Sequence, residues 1–298
     1  MQKTKGILFT LIGGIFWGLS GASGQFLFQY KEASANWLVP VRLTTAGFLL
    51  LLILFFQRGT RIFDVWKTRR TSAQILIYGI GGMMLCQYTY FVTIQHSNAG
   101  IATVLQYLSP VIILAVVCLG KRILPSPIEV LALILAVSGT FFLATHGDFH
   151  SIVISGTALR WGLLSACTYA FYTLYSSRLL KNFDSPLIIG WGMFLGGLAL
   201  TPVLKPWTMH PMIDKETLLA LFAIIVLGSI VSFTLYVTGV QLIGPSMTSM
   251  IASIEPVAAT VLSVVWLGVP FTGMDLLGFV CILSTIFLLA MPAKSSKR

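Results

Sequence analysis

Charge is what this chain has least of. Only 9% of its 298 residues are Asp, Glu, Lys or Arg, and only nine are acidic. A soluble domain carries about 25% charged residues. With 56% hydrophobic residues and a mean hydropathy of +0.90, no water-soluble fold of this length could hide the apolar surface, so a large soluble core is excluded. Cysteine is sparse as well. Cys86, Cys118, Cys167 and Cys281 each stand alone in an apolar run, with no CxxC or Cys/His spacing, so neither a disulfide framework nor a zinc site is expected. There is no HExxH, no Walker-type glycine loop and no pair of mid-span carboxylates. Those absences argue against an intramembrane enzyme and against a pump carrying its own ATPase, and they call for no metal and no cofactor. Long polar stretches are missing too: the longest, 57–71 and 205–216, are too short for an extramembrane module.

What is present is a series of apolar runs, each near the ~20 residues needed to cross a bilayer. Ten are predicted, at about 6–28, 37–56, 72–95, 98–119, 127–146, 155–178, 186–204, 217–240, 245–267 and 273–291. The first begins after a short basic stretch like a signal peptide, but it is too long for one and is read as a retained helix. The net charge of +10 does not point to nucleic acid, because the basic residues lie between apolar runs. With the N-terminus in the cytoplasm, fourteen of the nineteen Lys and Arg fall inside, and only Lys31, Lys205 and Lys215 outside; Arg42 and Arg160 lie within spans. Both termini are therefore expected in the cytoplasm, with the protein multi-pass in the cell membrane. His96, His146, His150 and His210 lie at or near span ends and read as ordinary interfacial residues.

The chain also repeats itself. Residues 90–144 lie without a gap on 236–290 when shifted by 146 positions. Tyr90 falls on Tyr236, Gln95 on Gln241 and Pro110 on Pro256, matches less easily produced by chance than those among leucines. Five runs precede the polar patch around 146–155 and five follow it. An odd number of spans per copy makes the second copy enter from the opposite side. The expected fold is an all-α integral membrane protein of ten transmembrane helices, two inverted five-helix repeats at 1–148 and 149–298.

Several residues need a reason to be where they are. Pro110 and Pro256 lie about mid-span, each displacing the carbonyl four residues back, Gln106 and Ala252. They are either tolerated kinks or paired helix breaks lining a cavity. Glu255 beside Pro256 is costly at mid-bilayer and should face the bundle interior, as a structural carboxyl or as a contact for substrate or proton. Arg42 either snorkels outward, pairs with a carboxylate or attracts an anionic group. Trp17, Gln87, Tyr90, Gln106, Tyr107, Tyr169, Tyr172 and Tyr236 are aromatic or amide residues away from the interfaces. They suit either helix packing or the wall of a wet cavity for an amphipathic or aromatic solute. Gly14–Gly18 and Gly192–Gly196 match the close-approach spacing GxxxG.

Taken in order, Trp17-Gly18, Arg42, Asn98-Ala-Gly-Ile-Ala-Thr with Ser109-Pro110, and Gly244-Pro-Ser-Met-Thr-Ser with Glu255-Pro256 resemble the EamA-domain branch of the drug/metabolite transporter superfamily. So do the Leu119-Gly120 and Leu267-Gly268 span ends, although the Glu common after that dipeptide is replaced by Lys121 and Val269. The resemblance implies an ATP-independent carrier of small metabolites, often amino acids and often outward, working by alternating access. It also implies a core of spans 1–4 and 6–9 with spans 5 and 10 to the side. The alternatives are a carrier of sugar phosphates or nucleotide sugars and, further off, a non-transport membrane protein. The implied partners are a small solute, the lipid bilayer and a proton as candidate coupling ion, in a monomer or homodimer.

Overall fold

A computed structural model describes residues 2–145, 155–267 and 272–290. The predicted repeat boundary at 148/149, His146, His150, Gly268, Val269 and the last basic residues, Lys294, Lys297 and Arg298, lie outside the described residues. The fold is all-α. Helix α1 spans Gln2–Tyr30 and α2 Ala35–Arg58, followed by a 3-10 segment, Gly59–Trp66. Helix α3 runs over Arg69–His96; α4 is in two pieces, α4a Ala99–Gln106 and α4b Ser109–Lys121; and α5 is Pro127–Thr145. Helices α6 Gly156–Leu179, α7 Ser185–Leu204 and α8 Lys215–Ile243 follow. Helix α9 is again in two pieces, α9a Pro245–Ile251 and α9b Ile254–Leu267, and α10 is Gly273–Ala290.

Among the described residues six helices are long and apolar enough to cross a membrane: α1, α2 with its 3-10 extension, α3, α4, α7 and α8. Many large apolar side chains face outward along the helices, among them Phe56, Leu119, Val203, Val265 and Phe287. On a soluble protein they would form an aggregation surface; here they are the lipid-facing belt. Helix α6 falls below the hydropathy of the six because Arg160, Ser165, Thr168, Tyr169, Tyr172 and Thr173 interrupt it. Most of those side chains point inward, where they reappear at the candidate site.

Local chemistry sets the helix starts. Ser34, Asn98, Ser155 and Asp214 each accept a backbone N–H in the first turn of α2, α4a, α6 and α8, which satisfies an otherwise orphaned donor. Ser126 and Glu129 cap α5 reciprocally, and Thr272 and Asp275 do the same for α10. These capping boxes are again 146 residues apart.

The same shift relates the irregular parts of the structure. Helix α3 widens to π geometry over Ile77–Met84, and α8 over Ala223–Val231. The α4 break, at Tyr107–Leu108, corresponds within one residue to the α9 break at Ala252–Ser253. Each break explains its proline. Pro110 and Pro256 sit in the first turn of α4b and α9b, where no intrahelical donor is needed and the ring meets no preceding helical carbonyl.

Packing follows a reciprocal pattern. Helix α1 lies against α8 and α9, and α6 lies against α3 and α4; α2 meets α7, and α5 meets α10. Across the middle, α9a contacts α4b while α9b contacts α4a, so the two broken helices pass head to foot. Both GxxxG matches are close-approach faces. A Cβ on Gly18 would lie 2.7 Å from the Glu255 carbonyl oxygen, and one on Gly14 would lie 3.2 Å from that of Ala252. Gly196 stands in the same relation to the Gly79 carbonyl at 2.9 Å.

Candidate functional site

The four interrupted helices surround one cavity. Its lining comes from α1 (Trp17, Ser20), α2 (Arg42), α3 (Cys86, Gln87, Tyr90, Phe91), α4a (Gln106), α6 (Tyr169), α8 (Phe233) and the start of α9b (Glu255). Its enclosed space is small, about 20 Å3 of room for the centre of a water-sized sphere, and about 340 Å3 is unfilled by atoms once the open mouth is counted.

The helix breaks are tied together across it. The Tyr107 hydroxyl, on the α4 break, donates to the Ala252 carbonyl, one of the two carbonyls the prolines were expected to displace. The Glu255 backbone N–H donates to the same oxygen at 2.9 Å. The Tyr90 hydroxyl donates to Glu255 Oε1 at 3.2 Å and lies 3.0 Å from Thr103 Oγ1 on α4a. Gln106 Nε2 donates to Ser165 Oγ of α6 at 2.7 Å. Glu255 is only 4% exposed and faces the bundle interior, as the cost of a carboxyl at that depth requires.

Arg42 does not snorkel. It is 1% exposed, and its Nε donates to Ser229 Oγ at 3.0 Å and its Nη2 to the Gly228 carbonyl at 3.2 Å. The π-type turns of α8 explain that carbonyl's availability: a helix with i→i+5 bonding locally leaves the i→i+4 ladder unmade. The guanidinium also lies over the Phe91 ring, 4.7 Å from its centroid, a contact worth up to about 2 kcal/mol when desolvated.

Of the residues singled out in the sequence, Trp17, Gln87, Tyr90, Gln106, Tyr169, Glu255 and Arg42 line the cavity. Tyr107, Tyr172 and Tyr236 do not. Tyr172 and Tyr236 are fully buried behind the wall. The Tyr236 hydroxyl lies 3.0 Å from Thr173 Oγ1, and its ring supports Trp17 at 4.7 Å between centroids. Pro110 and Pro256 are buried beside the breaks rather than in the lining. Arg160 is exposed and bonded to its own helix, and His96 and His210 are exposed.

Sequence reasoning missed Ser20, Cys86, Phe91 and Phe233. Phe233 was within reach, because it is the repeat counterpart of Gln87 at a shift of 146. Ser20 is one helical turn from Trp17, and Phe91 one turn from Gln87. Among the described residues no three His, Cys, Asp or Glu stand close enough together to hold a metal.

The profile of the EamA-like transporter family matches residues 4–145 and then, a second time, 156–291. The chain belongs to the EamA-like transporter family. It is 38% identical over 294 residues to the uncharacterized inner membrane transporter YicL of Salmonella typhimurium, covering 99% of this chain and 98% of the relative. It is 26% identical over 249 residues to the threonine/homoserine exporter RhtA of Escherichia coli, covering 79% and 75%. A crystal structure superposes with a TM-score of 0.76 at 16% identity, covering 96% of each chain, a likeness of fold alone. The protein is thus a multi-pass membrane transporter of small molecules, of the secondary kind found in this family, and not an enzyme.

Proposed function

We propose that the protein exports small amino-acid-like or amphipathic, aromatic solutes by alternating access, with the cavity between α4 and α9 as the substrate site. Ten helices cross the membrane as two inverted five-helix repeats, 1–148 and 149–298. Both termini are cytoplasmic, and one bundle rocks against the other. The double match of the family profile supports the duplication. So does the exchange symmetry of the helix contacts, which pairs α9a with α4b and α9b with α4a.

The topology is further supported by what meets at each end of the bundle. Lys31, predicted outside, contacts Asp214 and Glu216 at 2.6 Å each. At the opposite end of α2, Arg58 contacts Asp184 at 2.5 Å. The name of the relative RhtA, a threonine/homoserine exporter, favours amino-acid-like solutes and the outward direction.

One observation carries the substrate reading: the aromatic residues Trp17, Tyr169 and Phe233 line one cavity with Gln87, Gln106, Arg42 and Glu255. Such a mixed wall suits a small solute with an apolar body and a polar head. A single lining cation gives little support to the sugar-phosphate alternative, which needs several. The test is counterflow in proteoliposomes holding the purified protein, with labelled L-threonine, L-homoserine and L-phenylalanine. Exchange above protein-free vesicles is expected for at least one of them; no movement of any would overturn the reading.

A further inference from the structure

The turn between α2 and α3 holds more positive charge than its neighbours answer. Helix α2 has 24 residues and is about 36 Å long, so it crosses the ~30 Å hydrocarbon core and its last turn stands at a membrane surface. The chain then bends at Gly59, with φ 59°, into the 3-10 segment Gly59–Trp66. Three residues make one turn of such a segment, so Ile62 and Val65 share a face, and both are buried. Trp191 of α7 fixes that face: its Nε1 donates to the Ile62 carbonyl at 2.8 Å, and its ring meets Trp66 at 5.1 Å between centroids. The segment also packs on the first turns of α3. The surface left over carries two exposed rings, Phe56 and Phe63, and five exposed cations, Arg58, Arg61, Lys67, Arg69 and Arg70. Two carboxylates answer them: Asp184 takes Arg58, and Asp64 takes Lys67. Among the described residues the side chains of Arg61, Arg69 and Arg70 have no ion-pair partner. Nor does α3 have an acidic residue in its first turn, where a carboxylate would ordinarily sit.

We infer that this corner docks the headgroup of an anionic phospholipid, with Arg61, Arg69 and Arg70 on the phosphate and Phe56 and Phe63 against the acyl chains. The inference rests on the membrane placement of the fold and is independent of the cavity. Charge complementarity chooses the partner, since three positive charges are left without an anion of the chain's own. All three are arginines, whose planar guanidinium meets two phosphate oxygens at once; the one lysine of the corner is engaged by Asp64. The rings exclude a purely soluble anion as the occupant, because basic residues set beside exposed aromatic ones suit a boundary between headgroups and acyl chains. Orientation of the chain in the membrane asks only that basic residues stay on one side, on any loop. It asks neither for a segment pinned to α7 nor for rings on the outer face of that segment. A lipid held there would join α2, the segment and α3 at the end where Arg58 meets Asp184, and so would stabilise the folded protein.

The experiment is thermal unfolding of the full-length protein in detergent, titrated with phosphatidylglycerol, with phosphatidylcholine of the same acyl chains, or with glycerol 3-phosphate. The wild type is compared with the triple variant Arg61→Gln, Arg69→Gln, Arg70→Gln. The control is Lys5→Gln, Lys121→Gln, Arg122→Gln, which removes the same charge from exposed cations elsewhere. Phosphatidylglycerol is expected to raise the melting temperature of the wild type at a concentration at least ~10-fold lower than phosphatidylcholine, and glycerol 3-phosphate to leave it unchanged. The arginine variant should lose that preference and the control variant keep it. An equal response to the two lipids, an equal shift by glycerol 3-phosphate, or an equal loss in both variants would overturn the inference. If the arginine variant does not fold, cross-linking of the wild type decides. A phosphatidylglycerol with a photoreactive headgroup should then label residues 56–72 in preference to the rest of the chain, and label spread evenly over the other basic helix ends would overturn the inference.

Discussion

A single methyl group at Gly18 tests whether the close fit of α1 against the α9 break holds the cavity together. In Gly18→Ala the new Cβ would stand 2.7 Å from the Glu255 carbonyl oxygen, 2.9 Å from the Ala258 Cβ and 2.9 Å from the Ala259 backbone nitrogen. Two of the three are backbone atoms of a helix start, so no side-chain rotation relieves the clash. Overpacking of this kind costs about 1–3 kcal/mol. In water, part of that would be returned by the better helix propensity of alanine. In a micelle or bilayer the separated helices stay helical, so the propensity gain is largely common to both states and the packing cost stands. The assay is equilibrium unfolding of the purified protein in mixed micelles of sodium dodecyl sulfate and a non-ionic detergent. Gly120→Ala serves as control, because a Cβ there meets nothing within 4 Å. A loss of about 1–3 kcal/mol is predicted for Gly18→Ala, against no loss for Gly120→Ala. Since Glu255 moves with the carbonyl that Gly18 contacts, counterflow should fall as well. Equal stability of the two variants would refute the argument that this contact is tight.

Other outcomes follow from the same geometry. Tyr107→Phe removes the hydroxyl from the Ala252 carbonyl, which keeps the Glu255 N–H. It should cost about 1 kcal/mol in the same micellar assay and slow counterflow; an unchanged protein would mean the breaks are not coupled through that bond. Lys31 is held above the usual lysine range by hydrogen bonds to Asp214 and Glu216, and the Lys31 contact holds Asp214 down at about 2. Asp214's contribution to stability is therefore complete above its ordinary value near ~3.9 and lost towards pH 2. That of Lys31 is complete below ~10.4 and lost above it. The melting difference between wild type and Asp214→Asn should stay constant from about pH 4 to pH 10 and shrink below that range; a change centred near neutrality would contradict this. Arg58 and Asp184 are partly exposed, so Arg58→Ala should cost no more than ~1 kcal/mol. It should nonetheless make the cavity easier to reach from that end, read by thiol labelling.

Much of the architecture was legible because a membrane protein writes its fold in long, coarse strokes. Runs of apolar residues marked the long apolar helices, and the 146-residue shift, read from Tyr90, Gln95 and Pro110, also relates the capping boxes and the helix breaks. The prolines also stand next to the breaks, although a proline alone does not decide between a kink and a restart: Pro40 and Pro202 lie inside continuous helices. The same shift relates features with no sequence signature of their own. Nothing in Ile77–Met84 or Ala223–Val231 announces a π-type turn, because widening depends on what packs alongside, such as Ser20 against Gly228. The site was read less well than the fold. Distance along a helix separates mid-depth aromatics from interfacial ones, but it does not separate a ring that faces a cavity from one that backs it. Trp17 and Tyr169 fall on the first side, and Tyr172 and Tyr236 on the second. The orientation of Arg42 was equally hidden, since its five-residue distance from the outer end allows a snorkelling side chain. The Gly228 carbonyl, Ser229 and the Phe91 ring, all on other helices, turn it inward.

The most direct test of the account is whether one position in the cavity is reached from each side of the membrane in turn. Gln87→Cys, on the cavity wall, in a protein with Cys86, Cys118, Cys167 and Cys281 replaced, would be labelled in oriented vesicles with a membrane-impermeant thiol reagent added to one face or the other. Labelling from both faces, slowed by a transported solute and biased towards one face by Arg58→Ala and towards the other by Lys31→Met, is the predicted result. Labelling from neither face, or from one face alone whichever ion-pair variant is used, would contradict alternating access to this cavity.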